Sequence, residues 1–473
     1  MANSSEASGV IRQPGGALGG RGLPRLARAL VLCALGVTFG CASHSDKTKE
    51  IRSALDAGNP RQALKLLNEQ LDTKSEKELP QKTDGDQSVF LLDRAMVLQQ
   101  LQIYKWSSRD LEVSDKQIEM LDFSRNAAHD IGKYMFSDDV GPYKAPAYEK
   151  LMINTMNMVN YLAEGDLQGA RVEARRLSVM QKYLRDNDPE NALTAPGSYL
   201  AGFTFEKSGR YDEALRYYDE ALAYGEYQSL AEPIRRLLGR SGYSSPRLRK
   251  AAGLSDGEQA PRPAEAGDAE PGELLVIVNY GRVPAKIAKR IPIGLALTYA
   301  SGLISPTDTA RANELAAQGL VTWVNYPELG KAHGQYATPS FLLDGKAMPL
   351  EGIVAVDKET QRAWDQVKGT VIASAITRMI TRVVAGKGVE AAAGDDHPVV
   401  GLLLGLATQA TLTAADTPDT RSWATLPARM AFGRVMLPPG PRTVQLSARG
   451  ANSVKKVDIK PGGFAVVNLT VLE

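Results

Sequence analysis

Residues able to do chemistry are few and scattered in this 473-residue chain. The four histidines are His44, His129, His333 and His397, and none is spaced from a cysteine or another histidine as zinc ligands are. Both cysteines, Cys33 and Cys41, fall in the first tenth of the chain, so no disulfide framework or cysteine metal site can be built beyond them. Asp395-Asp396-His397 is the nearest approach to a metal or acid–base cluster, but it directly precedes Pro398 and reads as helix capping. Gly386-Lys387-Gly388 lacks the rest of a phosphate loop, and no serine lies in a Gly-x-Ser-x-Gly elbow. One constellation remains: Asp419, Arg421 and Trp423. A carboxylate and a guanidinium beside an indole can hold a substrate, or they can lock a loop, with Arg421 paired to Asp419 and stacked beside Trp423. The lock is the simpler reading. The expectation is no metal, no cofactor and no catalytic residue.

Cys41 stands apart because of what precedes it. Arg21, Arg25 and Arg28 form a basic region, and Ala29–Phe39 is an uncharged apolar run, too short to span a bilayer as a helix. Gly40-Cys41-Ala42 follows, and a small residue before a cysteine at this place resembles a lipobox. The usual leucine three residues before the cysteine is Thr38 here. The resemblance implies that 1–40 are a signal peptide and that the Cys41 thiol carries the lipid as a thioether. Ala42, rather than aspartate, points to the periplasmic face of the outer membrane under the enterobacterial sorting rule. With that segment gone no free thiol remains, which suits an oxidising compartment.

Charge narrows the partners. The formal net charge is +2, and residues 1–40 alone hold four arginines against one glutamate, leaving the rest near neutral. Such a body gives no electrostatic case for nucleic acid.

From about 45 to 240 apolar residues recur at helical spacing, broken by Gly-Asn, Gly-Asp and Gly-Arg turns. The clearest unit is Tyr199–Leu222: Gly202 and Phe205 on one helix, Gly209-Arg210-Tyr211 at the turn, and Ala214, Tyr218 and Ala221 on the next. This small–large–turn–small–large–small order resembles a tetratricopeptide repeat. Ala170 takes the slot of Ala214 in the unit before, and Ala63 and Ser107 take it in two weaker units. The four anchors lie 44, 63 and 44 residues apart, so the array departs from the regular period of about 34. Stacked helix pairs present an extended surface for a peptide or partner protein.

Residues 241–272 are rich in Pro, Gly and Glu and read as a flexible linker. A β-rich domain, 273–473, follows. Leu274–Val278 reads as a strand buried on both faces, with Val283–Pro292 as its partner. Leu343-Asp344-Gly345-Lys346 is a hairpin turn. Two helices, about 359–386 and 398–415, are expected to be packed inside. Arg429–Leu437, Thr443–Ala448, Val454–Ile459 and Phe464–Leu472 are four more strands. The fold class is therefore α+β.

Several stretches look familiar together: Tyr161-Leu162-Ala163-Glu164-Gly165-Asp166, Pro271–Val278, Arg290-Ile291-Pro292, and Asp419–Pro427 with Leu437-Pro438-Pro439-Gly440. They resemble a family of Gram-negative envelope lipoproteins with tetratricopeptide-like repeats and no established activity. The likeness covers most of 45–473 and fits 300–340 least well. It implies the same two-part layout and an envelope location. The expected function is a noncatalytic, membrane-anchored scaffold or assembly factor for another envelope protein or peptide. The alternatives are a cell-wall enzyme with its site at Asp419 and Arg421, or a membrane-inserting secretion component using Glu359–Ala415.

Overall fold

Four helix hairpins built on one turn form the N-terminal region. The computed structural model describes residues 43–120, 142–187, 191–255, 258–260, 270–319, 323–331, 336–392 and 417–473. Cys41 and the expected helix 398–415 lie outside the described residues. A short helix α1 (His44–Lys47) leads into α2 (Lys49–Asp56) and α3 (Pro60–Gln70). Then come α4 (Asp86–Gln100) with α5 (Tyr104–Gln117), α6 (Ala147–Ala163) with α7 (Leu167–Asn187), and α8 (Thr194–Lys207) with α9 (Tyr211–Ala221). A two-residue parallel pair, β1 (Glu119–Met120) and β2 (Lys144–Ala145), sits between α5 and α6.

Each hairpin turns on a residue with positive φ: Gly58 (67°), Gln102 (62°), Gly165 (76°) and Gly209 (74°). In each, the next amide donates back across the helix end: Asn59 to Ala54, Ile103 to Leu98, Asp166 to Tyr161 and Arg210 to Phe205. This is the Schellman closure, which satisfies carbonyls that the helix end leaves unpaired. Five residues after each turn comes Ala63, Ser107, Ala170 or Ala214, all fully buried. The small residue lets the two helices close. Gly202 shows how tightly: a Cβ there would lie 2.4 Å from the Tyr218 ring. Gly169 and Tyr161 repeat the contact at 2.5 Å in the α6–α7 hairpin.

After α9 come a 3-10 turn (Gln228–Leu230), α10 (Ala231–Leu238) and α11 (Pro246–Ala251). The last lies within the stretch read as linker, capped by Ser245, with Leu248 fully buried.

The C-terminal region is a two-sheet sandwich with an appended lobe. One sheet has the order β12-β3-β9-β8: β3 (Gly272–Tyr280) is flanked by β9 (Arg429–Leu437), antiparallel, and β12 (Phe464–Val471), parallel, with β8 (Glu351–Ala355) at the edge. The other is β11-β10-β6-β7, from β11 (Ala451–Ile459), β10 (Gly440–Ala448), β6 (Ser340–Leu343) and β7 (Lys346–Met348). Asp344 and Gly345, both at positive φ (49° and 81°), turn β6 into β7. Strand β3 is buried on both faces. Leu274, Val276 and Val278 fill the sandwich core, while Leu275 and Ile277 join the core shared with the helices.

The expected partner of β3 is a correction. Lys286–Pro292 (β4) pairs instead with β5 (Trp323–Leu329). With α12 (Ile293–Tyr299), α13 (Pro306–Ala317) and α14 (Val356–Ala392), these strands enclose a third core around Ile291, Val324, Ile372 and Ile376. Pairing by sequence nearness fails here because β3 takes both neighbours from the last forty-odd residues of the chain.

Ala42–Glu473 is one compact unit. Its largest core draws on helices and sheet alike: Met156, Leu200 and Phe203 on one side, Ile277, Met430 and Phe432 on the other. The first helices of the last three hairpins, α4, α6 and α8, lie against β12 and β8. The sheet therefore covers the inner face of the helical array.

Candidate functional site

The Asp419-x-Arg421-x-Trp423 constellation lies on an irregular segment, 417–428, that turns at Trp423–Leu426 and plugs the seam between α4, α6 and the sheet. Arg421 pairs with Asp419 through two bonds, Nε to Oδ1 at 2.9 Å and Nη2 to Oδ2 at 2.8 Å, while the Arg421 amide donates to Oδ1 at 3.0 Å. Burial pushes the Asp419 carboxyl up, but the Arg421 hydrogen bonds and charge, with Lys286 behind them, outweigh it and hold it below its ordinary value. Arg421 does not stack on Trp423 as expected. Its guanidinium lies over Tyr143 at 5.8 Å. Trp423, 1% exposed, instead donates its indole N–H to the Leu92 carbonyl at 3.2 Å. Residues two apart in an extended segment share a face, but the chain turns at Trp423, where the Leu426 amide donates to its carbonyl, and the indole enters the α4–α6 groove instead.

Two carboxyls that the sequence did not single out flank this plug. Asp93 accepts from the Thr425 amide (3.0 Å) and hydroxyl (2.8 Å), yet burial pushes it up to about 7. Glu149 accepts from Tyr143 Oη at 2.8 Å and is also raised by burial. Raised acids side by side are a signature of acid–base sites. These, however, sit behind a segment buried without a break from Arg421 to Ala428. A cleft of about 430 Å³ lies elsewhere, beside α3, lined by Arg61, Lys65, Asn68, Glu69, Lys74 and Glu76, with mixed charge.

The start of the described chain is docked on the same plug. Ser43 and Asp46 form a capping box on α1. The Ser45 amide donates to Thr420 Oγ1 at 3.0 Å, and Lys47 pairs with Asp86 at 2.7 Å. His44 is buried against Phe90, ring centroids 4.8 Å apart, and desolvation lowers it to about 4 despite Asp86 and Asp419 nearby.

The repeat-packing residues lead to the densest electrostatic cluster. Tyr218, the aromatic over Gly202, donates to Glu206 at 2.7 Å and accepts from Arg434 Nη1 at 2.7 Å. Arg434, 1% exposed on β9, also reaches Glu206 at 2.5 Å and pairs with Glu273 on β3; Lys207 pairs with both acids, and Arg236 closes the rim. Burial alone would raise both acids, but the cations around them, Arg434 foremost, hold Glu206 well below its ordinary value and Glu273 below its own. A second, uncharged network lies along the same seam. Ser107 accepts from Asn160, Gln99 donates to Asn160, and Gln99 Oε1 receives Asn279 Nδ2 and Thr470 Oγ1. Strand parity held the signal for both. Arg434 shares the face of Met430 and Phe432, and Glu273 that of Leu275 and Ile277, so each had to enter the helical layer with a partner.

No protein-family model, curated protein or solved structure matches this chain. Among the described residues no three His, Cys, Asp or Glu side chains gather to hold a metal, and no helix is long and apolar enough to cross a membrane.

Proposed function

We propose that this chain is a lipid-anchored, noncatalytic scaffold or assembly factor of the cell envelope, tethered through Cys41. One observation carries the reading. The compact unit runs from Ala42, the residue after Cys41, and the turn at Ser43–Lys47 is built into the plug at Thr420. The folded body thus starts where a lipobox cleavage would leave the mature chain.

The closed inner face decides how such a scaffold works. A repeat array usually offers the face of its first helices to a partner. Here the chain's own sheet occupies it, through Arg434 and Gln99, so partners meet the outer helices α5, α7 and α9 or the C-terminal lobe. Asp419 spends both oxygens on Arg421, which favours a lock over a catalytic acid.

Mass spectrometry of the N-terminal peptide from membranes tests the anchor, and a diacylglyceryl group on Cys41 is expected. Crosslinking in intact cells followed by affinity capture tests the scaffold. Failure to recover any reproducible envelope partner would remove it, and hydrolysis of peptidoglycan by the purified protein, lost in Asp419→Asn, would replace it with an enzyme.

A further inference from the structure

Four arginines gather at one end of the sandwich: Arg52 on α2, Arg282 just beyond β3, Arg429 at the start of β9 and Arg449 in the turn between β10 and β11. The Tyr336 ring supports three of them. Its hydroxyl donates to the Arg282 carbonyl at 3.1 Å, and the ring lies against Gly281, where a Cβ would come within 2.2 Å of it. The guanidinium groups of Arg429 and Arg449 lie over the ring at 4.6 and 5.3 Å. Arg282, 1% exposed, joins Arg52 to the group by donating to its carbonyl at 3.2 Å.

Carboxylates do not match this charge. Asp56 pairs with Arg282 at 2.6 Å, and Asp357 pairs with Arg429. Arg52 gives its guanidinium to the Ser45 carbonyl and the Thr48 hydroxyl, and pairs with no described carboxylate. Arg449 makes no hydrogen bond and no ion pair with any described residue, although its Nε has no exposed surface. Burial lowers both Arg52 and Arg282 despite the aspartates near them, and a neighbouring arginine, Arg282 and Arg449 in turn, adds to the lowering. The backbone supplies a second, independent observation. Arg449 and Gly450, at φ 47° and 86°, form the two-residue loop between the paired Ala448 and Ala451. Asparagine, aspartate or glycine suits the first position of such a loop, and a long side chain there is strained. The hairpin itself gains nothing from a guanidinium at that position.

We propose that this end of the sandwich binds a phosphate-class oxyanion, with the unused fork of Arg449 as its main donor beside Arg52 and Arg282. Arginine presents its N–H groups in a fixed plane that matches two oxygens of a phosphate or sulfate. Four arginines against two paired carboxylates leave two positive charges, which a dianion neutralises. A soluble phosphate and a phospholipid headgroup offer the same chemistry.

The test uses the full chain, purified in detergent, with inorganic phosphate as the probe and chloride at matched ionic strength as the blank. Calorimetry should show saturable binding at a single site, and phosphate should raise the unfolding midpoint, as binding to the folded state requires. Arg449→Asn should weaken phosphate about tenfold or more, the worth of one charge-assisted hydrogen bond, yet melt no lower than wild type without phosphate, because asparagine suits the turn. Arg449→Lys keeps the charge and loses the fork, so its affinity should fall between the two. Arg442→Gln, on neighbouring β10, should leave phosphate binding unchanged. Dihexanoyl phosphatidic acid, below its micellar concentration, separates the sources: affinity at least tenfold above that of phosphate assigns a lipid headgroup, and equal affinity assigns a soluble phosphate. Phosphate that acts no differently from chloride overturns the proposal. So does undiminished binding in Arg449→Asn, which would leave Arg449 a structural residue, or an equal loss in Arg442→Gln, which would assign the effect to general surface charge.

Discussion

The inner face of the sheet and the outer side of the β4–α12 lobe both carry large apolar residues, yet they are finished differently. On the inner face, Leu275, Ile277, Met430 and Phe432 meet the helices, and every polar residue among them has a counterpart: Arg434 with Glu206, Glu273 with Lys207, Asn279 and Thr470 with Gln99. On the lobe, Leu295, Tyr299 and Trp323 are each nearly half exposed, Lys368 lies over the Tyr299 ring, and Arg290 is exposed on β4. Matched buried charges mark an interface that the chain never opens, because an unpaired one costs several kcal/mol. Apolar side chains left half in water mark a surface on which single changes cost little.

The largest effect expected is at Arg434. Arg434→Met leaves Glu206 and Glu273 buried with only Lys207 and the rim Arg236, and should cost about 3–5 kcal/mol in denaturant unfolding. Arg290→Met on the lobe should cost no more than about 0.5 kcal/mol, the usual cost of a surface change. Similar costs for the two would break the contrast between a closed face and an open one. Replacing Arg434, Glu206 and Glu273 together by Met, Gln and Gln should recover much of the loss, since no charge is then stranded.

Next in size is the fit behind that interface. Gly202→Ala forces a Cβ to within 2.4 Å of a Tyr218 ring that is pinned by Glu206 and Arg434. It should cost about 1–3 kcal/mol by overpacking. Gly169→Ala makes the same clash with Tyr161, but that ring is half-buried and its hydroxyl reaches only Glu112, so it can swing away. The better helix propensity of alanine, about 1 kcal/mol, then offsets much of the cost. Thermal unfolding of the pair sharpens the comparison, since only the hairpin tied to the sheet should be intolerant.

Smaller and opposite pH effects are expected along the plug. His44 is held neutral in the fold, at about 4, so its contribution is complete above the unfolded value of 6.5 and is lost as pH falls toward 4. Hydrogen exchange at the Ser45 amide should speed over that window, and His44→Phe should flatten it. Asp93, at about 7, has the reverse sign: its contribution is complete below 3.8 and is lost as pH rises through 7. Asp93→Asn keeps the Thr425 bonds through its remaining oxygen, so it should stabilise the fold at pH 8 and change little at pH 4. Unfolding midpoints that move in parallel with pH for both variants would contradict this assignment.

How much of this was written in the sequence depends on the range of the interaction. The hairpins were legible from Ala63, Ser107, Ala170 and Ala214, because a turn and the small residue five positions on are local. The turn at Asp344-Gly345 was legible for the same reason. The neighbours of β3 were not, since strand pairing across nearly two hundred residues leaves no local mark. The Asp419–Arg421 pair was legible at two-residue range, but the Trp423 orientation was not, being set by a carbonyl on α4. Asp93 and Glu149 escaped notice because each sits singly in an apolar helix pattern, and only the plug brings them together.

The finest expected effect tests whether the hairpin frame is uniform. Three of the four turns use glycine at positive φ, but the second uses Gln102, at 62°. A Cβ in that conformation crowds the following carbonyl, a strain of about 1–2 kcal/mol that glycine does not feel. The hydrogen bonds around Gln102 match those of the other three turns, so nothing else has to move when the side chain is removed. Glycine also loses more backbone freedom on folding, which takes back part of the gain, and Gln102→Gly should stabilise by up to about 1 kcal/mol. The α4–α5 hairpin carries both Gln99 and the Leu92 carbonyl that holds Trp423, so the gain should also slow hydrogen exchange at the seam and leave the lobe unchanged. Slowing that extended equally to β4 and β5 would mean the lobe opens together with the closed face, and the two regions would have to be treated as one.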